Sequence, residues 1–323
     1  MFTILITGGA GFIGSNFTRM MSQMSGFRCV VLDKLTYAGN RVTIDDVFNE
    51  DSHFVEGDIC DVRLVNRLFE QYAFTHVINF AAESHVDRSI EDPQVFIRTN
   101  ILGVQVLLEA CRKYSVEKFV QVSTDEVYGS LGDTGLFTEE SPLEPSSPYS
   151  ASKTSADLLV QAWHRTYGLP VNITRCSNNY GPYQYPEKLI PLMISNAAAD
   201  IPLPVYGDGM NVRDWIHVQD HCEALLLVLE RGRPGEVYNI GGNSERRNLD
   251  VVKEILRALN KPGSLIHFVE DRLGHDWRYA IDSSKMEREF GWKPTFNFEE
   301  GLLQTIEWYS RNQDWIDAIA KED

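Results

Sequence analysis

The chain has 323 residues, 43% of them hydrophobic, and its 30 basic and 46 acidic side chains give a formal net charge of -16. That length supports one large core plus a smaller lobe, while the acidity argues against nucleic acid and anionic membranes as partners. An anionic small substrate would therefore need locally clustered Arg and Lys, and no apolar run approaches the ~18 residues of a membrane span.

The opening Met1-Phe2-Thr3-Ile4-Leu5-Ile6 has no basic leader and reads as a first strand rather than a signal peptide. Short apolar runs at 3–7, 28–32, 52–56, 76–79, 119–123 and 171–175 alternate with helical patterns. This alternation predicts an α/β fold of Rossmann type, a doubly wound parallel sheet covered on both faces. One helix is expected to begin near Asp92-Pro93 and carry Phe96, Ile97, Ile101, Val104, Leu107, Leu108 and Cys111. A second begins near Tyr149, carries Ala156, Leu159, Val160, Trp163 and Tyr167, and stops at Gly168 and Pro170. Both helices are apolar over more than one stripe, which fits burial against the sheet or a face shared with a second subunit.

From Asn179 the chain turns rich in Pro, Gly, Tyr and Asn, a loop composition that carries function on a rigid scaffold. A further strand is expected at 235–240, then helices at 249–259, 284–290 and 299–309. These elements suggest a nucleotide-binding domain over 1–178, joined by 211–243, and a smaller C-terminal substrate domain over 179–323. The widely spaced Cys29, Cys60, Cys111, Cys176 and Cys222 include no C-x-x-C pair, so free thiols in a reducing cytosol are expected. His217 and His221 lie four residues apart near acids, but a strand-to-helix junction with structural histidines is the simpler reading than a metal site. Asn172-Ile173-Thr174 matches a glycosylation acceptor, yet it falls in a buried strand pattern.

Three motifs carry chemistry. Gly8, Gly11 and Gly14 sit between the first strand and a helix, where backbone amides can approach a pyrophosphate. Asp33 ends the second strand, where an acid bonds a ribose 2′-hydroxyl and repels a 2′-phosphate, favouring NAD over NADP. Asp58 ends the third, within reach of an adenine amino group or serving only as a turn acid. Lys34 reads as a solvated residue after its strand. Tyr149 and Lys153 stand at i and i+4 on one helix face. Ionising a free tyrosine at neutral pH costs roughly 4 kcal/mol, which nearby positive charge offsets. Finally, Ser123-Thr124-Asp125-Glu126 places a hydroxyl and two adjacent carboxylates at a strand end, where open α/β sheets bind ligands. Neighbours on a regular strand face opposite ways, so the chain should leave strand geometry at Thr124 if all three are to face one ligand.

Together these residues resemble the extended short-chain dehydrogenase/reductase superfamily, and within it the dTDP-glucose 4,6-dehydratase family. The resemblance is carried by residues 33–40, 81–89, 123–129, 149–153, 175–182 and 271–276, nearly the whole length of the chain. It implies an NAD-dependent hydro-lyase that removes water from dTDP-glucose in deoxysugar nucleotide synthesis, rhamnose being one example. It gives the catalytic roles to Thr124, Asp125, Glu126, Tyr149 and Lys153. Around the cofactor it implies Phe12, Ile13, Lys34, Leu35, Thr36, Ile59, Ala81, Ala82, Ser84, Thr99 and Asn179, beside the residues already named. Around the sugar nucleotide it implies Ser84, Thr124, Asn178, Lys188, Leu189, Pro204, Tyr206, Arg213, Asn248, Arg272 and His275. No metal is implied. A cytoplasmic homodimer through the helices near 93–113 and 149–167 is expected. A sugar-nucleotide epimerase or decarboxylase is the nearest alternative, though Asp125 argues against it. A non-catalytic NAD-binding scaffold is the alternative of another class, though it would be expected to have lost Tyr149, Lys153 or the carboxylate pair.

Overall fold

The computed structural model describes residues 2–48 and 52–320. Seven parallel strands form the main sheet: β1 (Phe2–Thr7), β2 (Phe27–Asp33), β3 (Ser52–Glu56), β4 (His76–Asn79), β5 (Lys118–Thr124), β6 (Val171–Cys176) and β10 (Val237–Ile240). Their order is β10-β6-β5-β4-β1-β2-β3. The strand order reverses between β1 and β4, and in such sheets the crevice beyond that point takes the ligand. All seven residues of β5 are buried, as expected where helices cover both faces of a parallel strand.

Each face of the sheet has its own apolar core. Leu5, Val30, Val77 and Phe119 pack with the helices Val62–Tyr72, Val104–Lys113 and Pro148–Tyr167 on one side. Ile4, Val31, Ile78 and Val120 pack with Phe12–Ser22 and Val218–Arg231 on the other. Polar residues inside the sheet satisfy one another. Thr7 Oγ1 donates to Asn79 Oδ1 at 2.5 Å, and Asn79 Nδ2 to Gln121 Oε1 at 2.8 Å. Asn172 of the glycosylation-like triplet is wholly buried and donates to the Glu236 carbonyl at 3.1 Å, so it is a structural side chain.

The stretch expected as one helix from 93 onward is divided. It runs as helix over Pro93–Phe96, widens to π-helical turns over Ile97–Gly103 and returns to α-helix at Val104–Lys113. Two local demands fall within the widened turns. Asn100 is buried and clamps Glu83, accepting from its amide at 2.8 Å and donating to its carbonyl at 3.0 Å, while also donating to Ser152 Oγ at 2.8 Å. Gly103 packs so closely that a Cβ there would lie 2.4 Å from Ile59. Apolar periodicity registers neither demand.

The second lobe joins a sheet ordered β11-β9-β7, from β7 (Asn178–Tyr180), β9 (Val212–His217) and β11 (Glu245–Arg247), to a parallel pair, β8 (Leu203–Tyr206) with β12 (Ile266–Val269). Its core packs Met193, Ile194, Trp215, Val252, Ile255, Phe298 and Leu302. Asp220, fully buried, ties the lobes: it accepts from the Thr295 amide at 3.0 Å, Thr295 Oγ1 at 2.6 Å and the Phe296 amide at 3.0 Å.

Candidate active site

A single cleft at the carboxyl ends of the main strands collects most of the chemistry-bearing residues. Gly8, Gly11, Phe12, Ile13, Gly14, Asp33, Lys34, Thr36, Asp58, Ile59, Ala81, Ala82, Ser84 and Thr99 line one end. Thr124, Asp125, Glu126, Tyr149, Lys153, Asn178, Asn179 and Lys188 line the other.

Glycine is required at the first end for stated reasons. Gly8 has φ +68°, and a Cβ on it would lie 2.5 Å from the Ala81 amide nitrogen. A Cβ on Gly14 would lie 2.2 Å from the Gly8 carbonyl oxygen. Gly11 precedes the helix Phe12–Ser22 with no side-chain cap and no acid in the first turn. The amides of that turn are therefore open to an anion, and the helix dipole favours one there. Asp33 is buried and accepts from the Ala10 amide at 2.8 Å and the Leu35 amide at 2.9 Å. Each of its oxygens keeps acceptor capacity towards the cleft. Lys34 is not simply solvated, because its Nζ pairs with Asp58 at 3.0 Å. Leu35 lies outside the lining and packs partly buried against the core.

At the second end β5 stops at Thr124, and a 3₁₀ turn over Asp125–Tyr128 follows. Thr124 Oγ1 caps that turn by accepting from the Glu126 amide at 3.3 Å. The departure from strand geometry lets Thr124, Asp125 and Glu126 all border the cleft. The helix Pro148–Tyr167 begins with Pro148 behind Ser147, whose side chain forms a reciprocal capping box with Ser150. It ends at Gly168, φ +71°. Its first turns present Tyr149 and Lys153, both buried. The Thr124 hydroxyl faces the Tyr149 phenol and acts to lower its pKa. Burial, with Glu126 and Cys176 adding to it, holds that phenol well above its ordinary pKa. Lys153 Nζ donates to the Val122 carbonyl at 2.7 Å, and burial lowers its pKa.

The two carboxylates differ in surroundings. Asp125 is 2% exposed, and no hydrogen bond reaches its Oδ2 among the described residues. Burial, then Glu126 and Asp214, push its pKa well up. Glu126 is half-buried. Burial raises its pKa as well, but Arg272, Arg213 and Lys188 all act to lower it. Both carboxyls are raised, Asp125 the more strongly, so these unequal environments favour a proton on Asp125 over one on Glu126.

Leu189, Pro204, Tyr206, Arg213, Asn248, Arg272 and His275 do not line the cleft; they belong to the second lobe beside it. Arg213 is buried, donates to the Asp276 carbonyl at 3.0 Å and lies 4.3 Å over the Tyr279 ring. Arg272 stands 3.8 Å from Asp87 and 5.9 Å over the half-exposed Tyr206 ring. His275 Nδ1 is 2.6 Å from Asp271 Oδ1. Leu189 and Asn248 open the helices Leu189–Ala198 and Asn248–Ala258, and Pro204 lies on β8. Sequence reasoning passed over Glu83, Ser123, Cys176, Ser177, Gln184 and Glu187, which also line the cleft. Ser123, Cys176 and Ser177 sit at or just beyond strand ends, a signal that would have found them. His217 ends β9 and caps the next helix by accepting from the Gln219 amide at 3.3 Å, while His221 Nδ1 meets Asn179 Oδ1 at 2.9 Å. Burial takes their pKa values down to about 4 and about 3, so both are neutral.

Comparison with known proteins gives a consistent picture. A profile described as GDP-mannose 4,6 dehydratase matches residues 5–305. A dTDP-glucose 4,6-dehydratase of Xanthomonas campestris is 55% identical, covering 99% of this chain and 96% of that protein. The crystal structure of dTDP-glucose 4,6-dehydratase from Bacillus anthracis in complex with NAD is 51% identical, with a TM-score of 0.92 over 99% of this chain and all (100%) of that one. A Streptomyces venezuelae dTDP-glucose 4,6-dehydratase with NAD and TYD bound is 49% identical, with a TM-score of 0.94 over 98% and 99% of the two chains.

Proposed function

The chain belongs to the GDP-mannose 4,6-dehydratase family, within the extended short-chain dehydrogenases/reductases, and on that premise we propose that it is a dTDP-glucose 4,6-dehydratase. It converts dTDP-glucose to dTDP-4-keto-6-deoxyglucose and water. The observation that carries this reading is the unequal carboxylate pair, Asp125 and Glu126, in one cleft with Tyr149, Lys153 and an open helix N-terminus.

The cofactor is NAD, and the residues fit it. The uncapped turn after Gly11 suits its pyrophosphate, and Asp33 suits an adenosine ribose without a 2′-phosphate. Lys153 is assigned to hold the nicotinamide ribose. When bound, NAD accepts a hydride from carbon 4 of the glucose and later returns it to carbon 6.

Tyr149 removes the 4-hydroxyl proton, and Thr124, which faces the phenol, steadies the same oxygen. The phenol must lose its proton to act, and a Lys153 cation one helical turn away favours that loss. Once carbon 4 is a ketone, the carbon 5 proton is acidic. Glu126, whose charged form Arg272, Arg213 and Lys188 favour against the cost of burial, removes it. Asp125, which keeps its proton, donates it to the departing 6-hydroxyl. As the hydride reaches carbon 6, Glu126 gives carbon 5 a proton exchangeable with solvent, which leaves the 4-ketone in place, and the proton taken by Tyr149 passes to solvent while Asp125 regains one from it. The second lobe is assigned to the nucleotide diphosphate, with Arg213 and Arg272 as its cationic groups.

A homodimer is assigned to the helical face that exposes Val95, Ile97 and Leu102 together with Leu158 of the helix carrying Tyr149 and Lys153. All five cysteines are free, in keeping with a reducing cytoplasm, and no helix among the described residues is long and apolar enough to cross a membrane. The function is tested by product mass: dTDP-glucose should lose one water, whereas an isomer of unchanged mass would mean an epimerase.

A further inference from the structure

Beneath Tyr149 and Lys153 lies a charged layer that the proposed reaction does not use. Asp157 follows Lys153 by one turn on the same helix and is fully buried. Its Oδ2 accepts from Arg175 Nε at 2.9 Å. Arg175, 2% exposed, lies on β6 in register with Ser123, the residue before Thr124. Its NH1 donates to the Tyr128 hydroxyl at 2.9 Å, and that hydroxyl donates to Asn239 Oδ1 at 2.8 Å. Arg175 is thus held from two sides, and it holds one oxygen of Asp157. The other oxygen, Oδ1, receives no hydrogen bond among the described residues.

Two buried cations, Lys153 and Arg175, thus lie around one buried carboxylate, which pairs directly with Arg175 and stands one helical turn from Lys153. Burying three ions is costly, and stability alone gives little reason to do so. The direct hydrogen-bond acceptor of Lys153 is the neutral Val122 carbonyl, so its compensating charge must come from elsewhere. Resting on the dehydratase reading, we propose that Asp157, anchored by Arg175, is a positioning residue for oxidation at carbon 4, holding Lys153 as the cation that Tyr149 needs. Asp157 lies outside the cleft lining and acts through Lys153.

The electrostatics agree in sign. Burial lowers the pKa of Lys153, and Asp157 raises it, with the Cys176 thiol acting the same way. Asp157 itself is raised by burial and lowered by Arg175 and Lys153, with Ser123 also facing it. Glu126, Cys176 and Asp125 face Tyr149. Of these, only Asp157 lies behind Lys153, along the helix and away from the cleft lining.

The test is the pH dependence of single-turnover oxidation of dTDP-glucose by the holoenzyme. Three proteins are compared: wild type, Asp157→Asn, and Asp157→Asn combined with Arg175→Gln, which leaves no unpaired guanidinium in the core. Loss of the carboxylate should let Lys153 shed its proton sooner, moving the alkaline limb of kcat down by about one pH unit or more. KM for dTDP-glucose should stay within about twofold, since uniform binding is untouched. A structural role alone would lower the melting temperature and leave the limb in place. An unmoved limb in a folded variant overturns the proposal, and the double variant decides the matter if Asp157→Asn does not fold. Absence of wild-type turnover would instead overturn the dehydratase reading.

Discussion

Replacing Asp125 by Asn separates its chemistry from its thermodynamics. The isosteric amide removes the proton donor for the 6-hydroxyl, so kcat should fall about 10²–10⁴-fold, equivalent to about 3–5 kcal/mol of barrier. Stability should respond in the opposite sense. The folded-state pKa of Asp125 is raised, by burial first and then by Glu126 and Asp214, while an unfolded Asp titrates near ~3.9. The stability tied to this group is therefore fully present below about pH 4 and is lost as pH rises towards the folded pKa. Across that window the wild type should lose roughly 1.4 kcal/mol per pH unit on this account. The amide of the Asp125→Asn variant has nothing to titrate. Chemical denaturation of both proteins at a series of pH values should show the variant gaining on the wild type as pH rises, though its activity is nearly gone. Curves that run parallel from acid to neutral pH would refute the claim that Asp125 is held protonated, and with it the assignment of the acid.

Glu126→Gln should still oxidise carbon 4 while losing carbon 5 exchange by about 10²–10⁴-fold, measured by solvent deuterium incorporation; undiminished exchange would remove Glu126 as the base. Gly14→Ala puts a Cβ 2.2 Å from the Gly8 carbonyl, a backbone contact with no flexible neighbour to yield. The purified variant should retain far less NAD, scored by absorbance after denaturation, and full retention would contradict the turn geometry. Leu158→Glu places a charge on the exposed apolar helical face and should shift the solution mass from dimer to monomer by light scattering; an unchanged mass would remove that face as the interface.

The sheet was legible because its strands are short apolar runs punctuated by Gly, Asp and Asn, and buried parallel strands need little else. The strand exit at Thr124 was legible from a chemical requirement, since two adjacent carboxylates cannot share one face of a strand. The π-helical turns over Ile97–Gly103 were not, because Asn100 and Gly103 answer to Glu83, Ser152 and Ile59 across the fold. Lys34 read as solvated because its partner Asp58 lies on the next loop of the sheet, and sequence distance hides such pairs. The electrostatic contrast between Asp125 and Glu126 was equally hidden. It depends on Arg213 and Arg272, which are remote in the chain and reach Glu126 only through the second lobe.

Oxidation at carbon 4, elimination across carbons 5 and 6 and return of the hydride in one cleft should leave the cofactor regenerated. This cycle is tested most directly by incubating the purified protein with dTDP-glucose in deuterium oxide with no cofactor added. The product should be lighter by one water and carry solvent deuterium at carbon 5. An epimer with all its atoms, or no conversion by protein that carries NAD, would contradict it.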